Sequence, residues 1–315
     1  MKLAAPLLAL AILAACSTNH GSLPAAVAPS LTNHETSWMT GDAKAGPLLY
    51  VSELNANDVA VFSYPTGKVA GTLSGFSAPH GLCVDKSGNV FVMSTGSAQI
   101  FEYAHGGTKP VQKLSDDGYA PSDCDVDPVN GDLAVADVNG GQSGGGGLSI
   151  FRKARGKPKL YFSNTGIFYY ASLGYDPHGN LFVDGYTYGG SFALVELPAG
   201  STTFTAITLN QFIRLPGGIR WNGDRLVLGD QYYISGPSII YEFSISGNRG
   251  TKARTIALTD SCDVIQFWLV GKRIIAPDDC SAYVKYYRFP QGGRSTKSIS
   301  DRNQPVSVTV SYPSQ

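Results

Sequence analysis

The chain has 315 residues, of which 43% are hydrophobic and 15% are charged, so it can bury a substantial core. Its 24 basic residues balance 24 acidic ones, whereas a nucleic-acid-binding protein would be expected to carry a basic face. Many glycine, tyrosine, threonine and serine residues, with no long run of helix formers, favour strands and turns. We therefore expect an all-β protein with no nucleic-acid partner.

The first 16 residues have the features of an export signal. Lys2 precedes an apolar run of about a dozen residues, too short to span a bilayer, and the segment ends in Leu13-Ala14-Ala15-Cys16. This tetrapeptide resembles a bacterial lipobox, which implies a diacylglycerol on the Cys16 thiol. With Ser17 next, the resemblance implies an outer-membrane anchor in a cell that has an outer membrane. An ordinary signal peptide, or a buried N-terminal segment, would also fit.

The next segment, 17–46, is rich in Ser, Thr, Ala, Pro, Gly and Asn and has no periodicity. Such a composition predicts a flexible tether between the lipid and a folded domain. The domain is expected to begin near Pro47 and to occupy 47–315. The lipid is then the only expected membrane contact, and the domain lies in the cell envelope as a monomer.

Residues 78–107 contain a pattern that the rest of the domain repeats. Short apolar runs flank the turn Ser87-Gly88-Asn89, and a third run follows a polar loop, which predicts a hairpin and a third strand. The repeating units are 48–88, 89–131, 132–179, 180–223, 224–271 and 272–313. Most units add a fourth, more polar run after a glycine turn. Units of this size predict an all-β, six-bladed β-propeller with four antiparallel strands in each blade.

The best-defined unit also resembles a known repeat. Its residues read Pro79-x-Gly81-x-x-Val84-Asp85-x-x-Gly88-Asn89-x-x-Val92, a pattern similar to the NHL repeat. The resemblance extends over about 48–313, is strongest in the second unit and is faint in the fifth and sixth. It implies the propeller fold but no particular activity, because NHL-like propellers serve as scaffolds, binders and enzymes.

The frame of the repeat predicts how the ring closes. The first recognisable strand, Leu49–Glu53, matches the second strand of the unit, whereas the final run, Val306–Tyr312, matches the first strand. We therefore expect the C-terminal run to supply the innermost strand beside Leu49–Glu53.

Export would place the cysteines in an oxidising compartment. Cys262 and Cys280 are equidistant from the proposed turn at Gly271, so they would face each other on antiparallel strands and are expected to form a disulfide. Cys83 and Cys124 fall on the innermost strands of neighbouring blades, displaced by one residue in the repeat. For these two, a bridge and a pair of buried thiols are both open.

Three residues at the entrances to first strands break the repeat and converge on the axis: His80, Asp123 and Asp263. They are candidate ligand-binding residues at the channel mouth. Acidic residues that recur from unit to unit, such as Asp85, are instead expected to accept backbone hydrogen bonds in turns. Asp123 and Asp263 could also do no more than accept backbone amides at the channel rim.

The chain also resembles gluconolactonase-type propellers in blade count and layout, which implies one divalent cation such as Ca²⁺ at the entrances. Asp123 and Asp263 would be its ligands, although no Glu or Asn stands at the equivalent positions. No motif of serine or zinc hydrolases is present. We therefore assign no catalytic residue and expect no cofactor, with a metal-dependent lactonase-like hydrolase as the alternative.

Several tyrosines fall in segments that the repeat places at the channel mouth of the fourth and fifth blades: Tyr169, Tyr170, Tyr186, Tyr188, Tyr232 and Tyr233. Exposed tyrosines stack on sugar rings or pack on peptides with little loss of entropy. They could also pack between blades. The sequence favours a lipid-anchored propeller that binds a glycan or a protein on this face.

Overall fold

A computed structural model describes residues 36–116, 119–140, 144–231, 236–301 and 303–314. The lipobox with Cys16, residues 17–35 of the predicted tether, and Tyr232 and Tyr233 lie outside these ranges. The described residues form 26 strands and a few short 3-10 turns. In these ranges no helix has the length and apolar character needed to cross a membrane.

The strands form six separate sheets, each of which is one blade. Blade 1 contains β1 (Trp38–Met39), β2 (Leu48–Glu53), β3 (Asp58–Ser63), β4 (Lys68–Leu73) and the last strand, β26 (Pro305–Ser311). Blade 2 contains β5 (Pro79–Val84), β6 (Val90–Ser94), β7 (Gln99–Tyr103) and β8 (Pro110–Ser115). Blade 3 contains β9 (Pro121–Val126), β10 (Leu133–Asp137), β11 (Gly147–Phe151) and β12 (Lys159–Tyr161).

The second half of the ring has the same plan. Blade 4 contains β13 (Ile167–Tyr175), β14 (Leu181–Thr187), β15 (Phe192–Leu197) and β16 (Thr205–Ala206). Blade 5 contains β17 (Thr208–Leu209), β18 (Pro216–Asn222), β19 (Arg225–Asp230), β20 (Ile239–Ser246) and β21 (Arg249–Ala257). Blade 6 contains β22 (Trp268–Val270), β23 (Arg273–Asp278), β24 (Tyr283–Arg288) and β25 (Gly292–Ser300). The predicted all-β, six-bladed propeller is therefore confirmed.

The ring closes as the repeat frame predicts. In blade 1 the strand order is β1-β4-β3-β2-β26, and β26 pairs antiparallel with β2 from Leu48↔Ser311 to Glu53↔Pro305. The backbone N–H of Ser307 also donates to Ser52 Oγ at 3.1 Å. The first and last strands of the ring thus belong to the same sheet.

Two blades have an additional outer strand. In blade 5, β17 pairs parallel with β21. In blade 1, β1 pairs with β4, and Gly71 permits this pairing because a Cβ there would collide with Trp38 O and Met39. The ordered chain therefore includes residues upstream of Pro47, where the sequence alone had placed the start of the domain.

The core lies between the blades because successive residues of a strand point to opposite faces of its sheet. Tyr50 of β2 packs with Leu82 and Val92 of blade 2, whereas its neighbour Val51 packs with Ile275 of blade 6. One buried strand thus supplies side chains to two seams of the ring.

The innermost strands approach each other most closely at glycine. A Cβ on Gly81 would lie 2.6 Å from Asp123 Cα, and a Cβ on Gly174 would lie 2.9 Å from Ile219 Cγ2. Both distances are shorter than a van der Waals contact, so a side chain at either position would push neighbouring blades apart.

Both possible disulfides are formed. Cys83 and Cys124 bridge β5 and β9 with their Cα atoms 5.6 Å apart, which decides between the two alternatives left open by the sequence. The predicted bridge between Cys262 and Cys280 is confirmed, with a Cα separation of 6.2 Å. Its cysteines are not cross-strand partners, however, because β22 begins only at Trp268 and Cys280 lies in a turn after β23. Two disulfides indicate an extracytoplasmic protein.

Candidate functional site

The strand order gives the propeller two different faces. Turns from first to second and from third to fourth strands lie on one face, which we call the hairpin face. Loops from second to third strands, and those between blades, lie on the other, which we call the mouth face. His80, Asp123 and Asp263 lie in or next to the starts of first strands, and therefore towards the mouth face.

His80 links three blades rather than standing free at the mouth. Its side chain on β5 is half-buried, and Nδ1 lies 2.8 Å from the carbonyl of Ser122 in β9. The hydroxyl of Ser52 in β2 donates to the His80 carbonyl at 2.5 Å. Burial lowers the pKa of His80, and the Ser122 carbonyl opposes that effect. His80 is therefore neutral near pH 7 and acts as a packing and hydrogen-bonding residue.

Asp123 is buried on β9 and accepts two backbone amides. Oδ1 accepts the N–H of Cys124 at 2.9 Å, and Oδ2 accepts the N–H of Leu173 in the next blade at 3.2 Å. Burial raises the pKa of Asp123 to about 7, against the opposing charge of Arg220. Both oxygens thus accept backbone amides, and Oδ2 ties blade 3 to blade 4, which is the structural role that the sequence left as the alternative.

Asp263 lies in the loop before β22 and is 5% exposed. Its backbone N–H donates to Asp278 Oδ1 at 2.9 Å, while its own Oδ1 has no hydrogen-bond partner among the described residues. Burial, followed by the charges of Asp279 and Asp278, raises the pKa of Asp263 to about 7. Unlike Asp123, this carboxyl group has an unused oxygen.

Neither Asp123 nor Asp263 belongs to a cluster of three potential side-chain metal ligands among the described residues. Across the described ranges, the one group of three His, Cys, Asp or Glu side chains close enough to share an ion is Cys262, Asp278 and Cys280. Its cysteines are joined in a disulfide, and Asp278 is paired with Lys285 at 2.6 Å. The cation at Asp123 and Asp263, and the lactonase-like alternative with it, stay predictions.

The mouth contains buried carboxyl groups that the sequence did not single out as functional. Asp184 in β14 is fully buried, with Oδ1 accepting the N–H of Ser172 at 3.0 Å and Oδ2 unpartnered among the described residues. Burial raises the pKa of the half-buried Tyr186, and Asp184, Asp230 and Asp263 raise it further. The charges of three carboxyl groups therefore act on the Tyr186 hydroxyl. The recurrence of an acid near the end of second strands was the signal available for Asp184.

The remaining tyrosines separate into exposed and buried ones. Tyr188 is 83% exposed and Tyr169 is 40% exposed. Tyr170 is 2% exposed, packs in the core between blades, and its hydroxyl accepts the N–H of Ser163 at 2.6 Å. Tyr170 therefore takes the alternative that the sequence left open, packing between blades, and both Tyr169 and Tyr170 lie in β13.

Phe168 joins the two exposed tyrosines into one cluster, which we call the aromatic platform (Phe168, Tyr169 and Tyr188). The Phe168 ring meets Tyr169 edge-to-face with centroids 4.8 Å apart, and meets Tyr188 in the same way at 5.1 Å. Irregular pairing near the start of β13 changes the simple alternation of side chains, so Phe168 and Tyr169 are both accessible. Sequence reasoning missed Phe168.

A glycine of blade 3, Gly145, lets the Phe168 ring of the platform pack directly against the backbone. A Cβ at Gly145 would lie 2.9 Å from Phe168 Cε2, so the ring rests directly on the backbone of the glycine-rich segment before β11. A larger residue there would displace the ring. The platform is thus supported by backbone below and by ring contacts at its sides.

Two cavities open on the opposite, hairpin face. One, of about 370 Å³, lies between blades 5 and 6, and its lining includes Asn222, Lys272 and Phe289. The other, of about 590 Å³, lies between the hairpin after β5 and the residues that follow β26. Neither belongs to the mouth, where the sequence had placed the ligand-binding residues.

Comparison with known proteins identifies the fold. No family model matches the chain, and no curated protein does. A chain in the crystal structure of a nidogen/laminin complex is 12% identical with a TM-score of 0.68, covering 84% of this chain and 98% of its own length. A Bacteroides caccae protein of unknown function is 11% identical with a TM-score of 0.64, covering 84% and 99%. A functionally unknown Desulfotomaculum acetoxidans protein is 10% identical with a TM-score of 0.58 and the same coverage. These similarities show a shared fold.

Proposed function

We propose that the protein is an exported, lipid-anchored β-propeller that binds a glycan or a protein ligand through the aromatic platform on its mouth face. The observation that carries the proposal is the aromatic cluster in which the half-buried Phe168 ring joins the exposed rings of Tyr169 and Tyr188. Aromatic rings give large contact areas at little conformational cost, and they stack on sugars or pack on peptides.

The platform is suited to binding because its rings are held in place before a ligand arrives. Phe168 and Tyr169 belong to β13, and Tyr188 directly follows β14. Ring contacts fix their orientation, and Gly145 supports Phe168 from below. Preorganised side chains lose less entropy on binding than mobile ones.

The binding test is retention of the purified domain on peptidoglycan sacculi and on a glycan array, followed by peptide libraries. The double variant Tyr169→Ala, Tyr188→Ala should lose retention and keep its melting temperature within a few degrees, because exposed side chains contribute little to stability, and adding Phe168→Ala to make the triple variant removes the rest of the platform. Phe212→Ala is the matched control, since Phe212 is 77% exposed outside the platform. Full retention by the triple variant would rule out the platform as the binding surface.

The anchor is part of the same proposal and has its own test. The lipobox-like ending at Cys16 and the two disulfides support an exported lipoprotein. Cells expressing the full chain should incorporate labelled palmitate into the protein, and Cys16→Ser should abolish the label. A labelled Cys16→Ser variant would exclude this site of lipidation.

Binding without metal-dependent catalysis predicts that no divalent cation remains in stoichiometric amount after dialysis. Elemental analysis measures this directly. A retained cation that disappears in Asp263→Asn would favour the lactonase-like hydrolase instead, since Asp263 has an unused carboxyl oxygen.

A further inference from the structure

The cavity between blades 5 and 6 lies on the hairpin face, away from the aromatic platform. Its volume of about 370 Å³ falls in the range of pockets for small ligands, roughly 300–1,000 Å³. Its rim includes Asn222 from the hairpin of blade 5, Gly271 and Lys272 from the hairpin of blade 6, and Gln291 from the turn after β24.

The hairpins of blades 5 and 6, which border this cavity, lack the aspartate that begins the hairpins of blades 2, 3 and 4. Blades 2, 3 and 4 have Asp85, Asp127 and Asp176 at the start of the hairpin, and each carboxylate accepts backbone amides within its own turn. Blade 5 has Asn222 at that place, and blade 6 turns directly at Gly271. The carboxylates that line this face elsewhere are therefore replaced by neutral groups at the cavity.

Cations take up part of the cavity wall. Arg225, Arg254 and Lys272 line it together with a single carboxylate, Glu242. Glu242 is 2% exposed and accepts Arg254 Nε at 2.8 Å and Asn222 Nδ2 at 3.0 Å. One arginine is thus neutralised by one buried carboxylate.

Two of the three cations keep their charge available. Among the described residues, neither Arg225 nor Lys272 forms an ion pair. Arg225 Nη1 donates to the neutral Ser244 hydroxyl at 3.1 Å. Asp224 is in the same hairpin but does not line the cavity. The cavity therefore carries an excess of positive charge that suits an anionic ligand.

The other residues that line the cavity indicate which chemical group carries the negative charge of the ligand. Half-buried Pro290 provides an apolar side with the buried Phe289 next to it, and the amides of Asn222 and Gln291 provide neutral hydrogen-bonding groups. An apolar wall suits the ring face of a sugar, amides suit hydroxyl groups, and a cationic pair suits a carboxylate.

We infer that this cavity binds an acidic sugar residue of the uronic acid class, with its carboxylate held by Arg225 and Lys272 and its ring against Pro290. The site is distinct from the aromatic platform in face, blades and residues. The protein would thus contact ligands on both faces of the propeller.

Titration of the intact domain with methyl β-glucuronide, followed by calorimetry, tests the inference. Wild type should bind, and Arg225→Gln and Lys272→Gln should each weaken binding about tenfold, because each removes one charge-assisted contact. Arg254 is left unchanged, since its loss would strand the buried Glu242 carboxylate. Lys157→Gln is the matched control, because Lys157 is an exposed cation on the hairpin face of blade 3. It should bind like the wild type.

Neutral methyl β-glucoside and inorganic phosphate complete the experiment. The inference is overturned if the wild type shows no binding of the glucuronide up to roughly 10 mM, or if the glucoside binds equally well. Binding of phosphate without the glucuronide, or undiminished binding by both variants, would also contradict it. The triple platform variant should bind the glucuronide normally, which separates failure of this site from failure of the platform.

Discussion

The two faces of the propeller are built differently. On the hairpin face, Asp85 and Asp176 make the same contacts: each Oδ1 accepts two backbone amides of its turn, and each Oδ2 accepts the side-chain amide of Asn89 or Asn180. On the mouth face the corresponding loops differ in length, aromatic content and charge. Residues that accept backbone hydrogen bonds in turns recur from blade to blade. The aromatic platform and the cationic cavity are instead formed by residues that do not recur.

Removing β26 should have the largest effect, because both faces depend on a closed ring. Deletion of 304–315 exposes the hydrogen-bonding edge of β2, which pairs with β26 along its whole length, and uncovers the seams on either side. We expect the cooperative thermal transition to disappear in calorimetry. Deletion of 313–315 alone keeps β26 and should leave the transition in place. A cooperative transition in the longer deletion would contradict ring closure as the source of stability.

The two disulfides should differ modestly in their contributions. Cys83 and Cys124 are 41 residues apart, and Cys262 and Cys280 are 18 apart. Loop entropy then assigns about 4 kcal/mol to the first bridge and about 3 kcal/mol to the second. Paired alanine variants, compared by urea unfolding, should show the larger loss for Cys83 and Cys124, which are also fully buried between blades. The reverse order would show that strain or residual structure outweighs loop length.

The buried carboxyl groups near the mouth should make the protein less stable as the pH rises. Burial, then the charge of Asp301, raises the pKa of Glu53 to about 11. Such a group is protonated in the folded state, so its stabilisation is complete below its unfolded pKa and is lost as the pH rises towards the folded value. The melting temperature should fall by at least about 2 °C between pH 6 and pH 9.

Glu53→Gln should reduce that fall, because a neutral amide mimics the protonated carboxyl group. Asn303 Nδ2 donates to Glu53 Oε2 at 3.0 Å, and the glutamine carbonyl can accept the same bond. The comparison variant is Phe212→Ala, which removes an exposed side chain with no titratable group and should leave the slope with pH unchanged. Equal slopes for wild type and Glu53→Gln would show that Glu53 is charged in the folded protein.

The smallest effect is expected from the turn residues themselves. Asp85→Ala removes the acceptor for three hydrogen bonds and should cost about 1–3 kcal/mol. Asn222→Ala removes one side-chain bond, to Glu242, and should cost less than about 1 kcal/mol. Urea midpoints give both values. Equal costs would mean that the blade 5 turn is held by its side chain as strongly as the repeated turns.

The fold was readable from the sequence because its signals are local and repeated. Turns such as Ser87-Gly88-Asn89 delimit the strands, and the phase of Val306–Tyr312 within the repeat identified the closing strand. β1 was missed because Trp38 and Met39 form a strand of only two residues, which pairs with a strand about 30 residues away. Such a pairing leaves no periodicity that a sequence can reveal.

The candidate site was less predictable because it depends on which way neighbouring side chains point. Tyr169 and Tyr170 are identical in sequence terms, yet one is accessible and the other is buried, since a strand directs them to opposite faces. Phe168 becomes accessible through irregular pairing in β13, which composition does not encode. The cationic cavity joins Arg225 and Lys272 from two blades, and only the packing of those blades brings them together.

Because Leu48 pairs with Ser311, the chain could begin and end at a different blade while the ring stays the same. The two ends of the closing seam lie side by side, so a short linker from 314 to 47 could join them. The chain could then be opened at the Gly131 hairpin, where even an added Cβ meets no neighbour. A circular permutant of this kind would lose only the two-residue β1 and keep the other strands and both faces, while its ends, and any cargo fused to them, would move to blade 3.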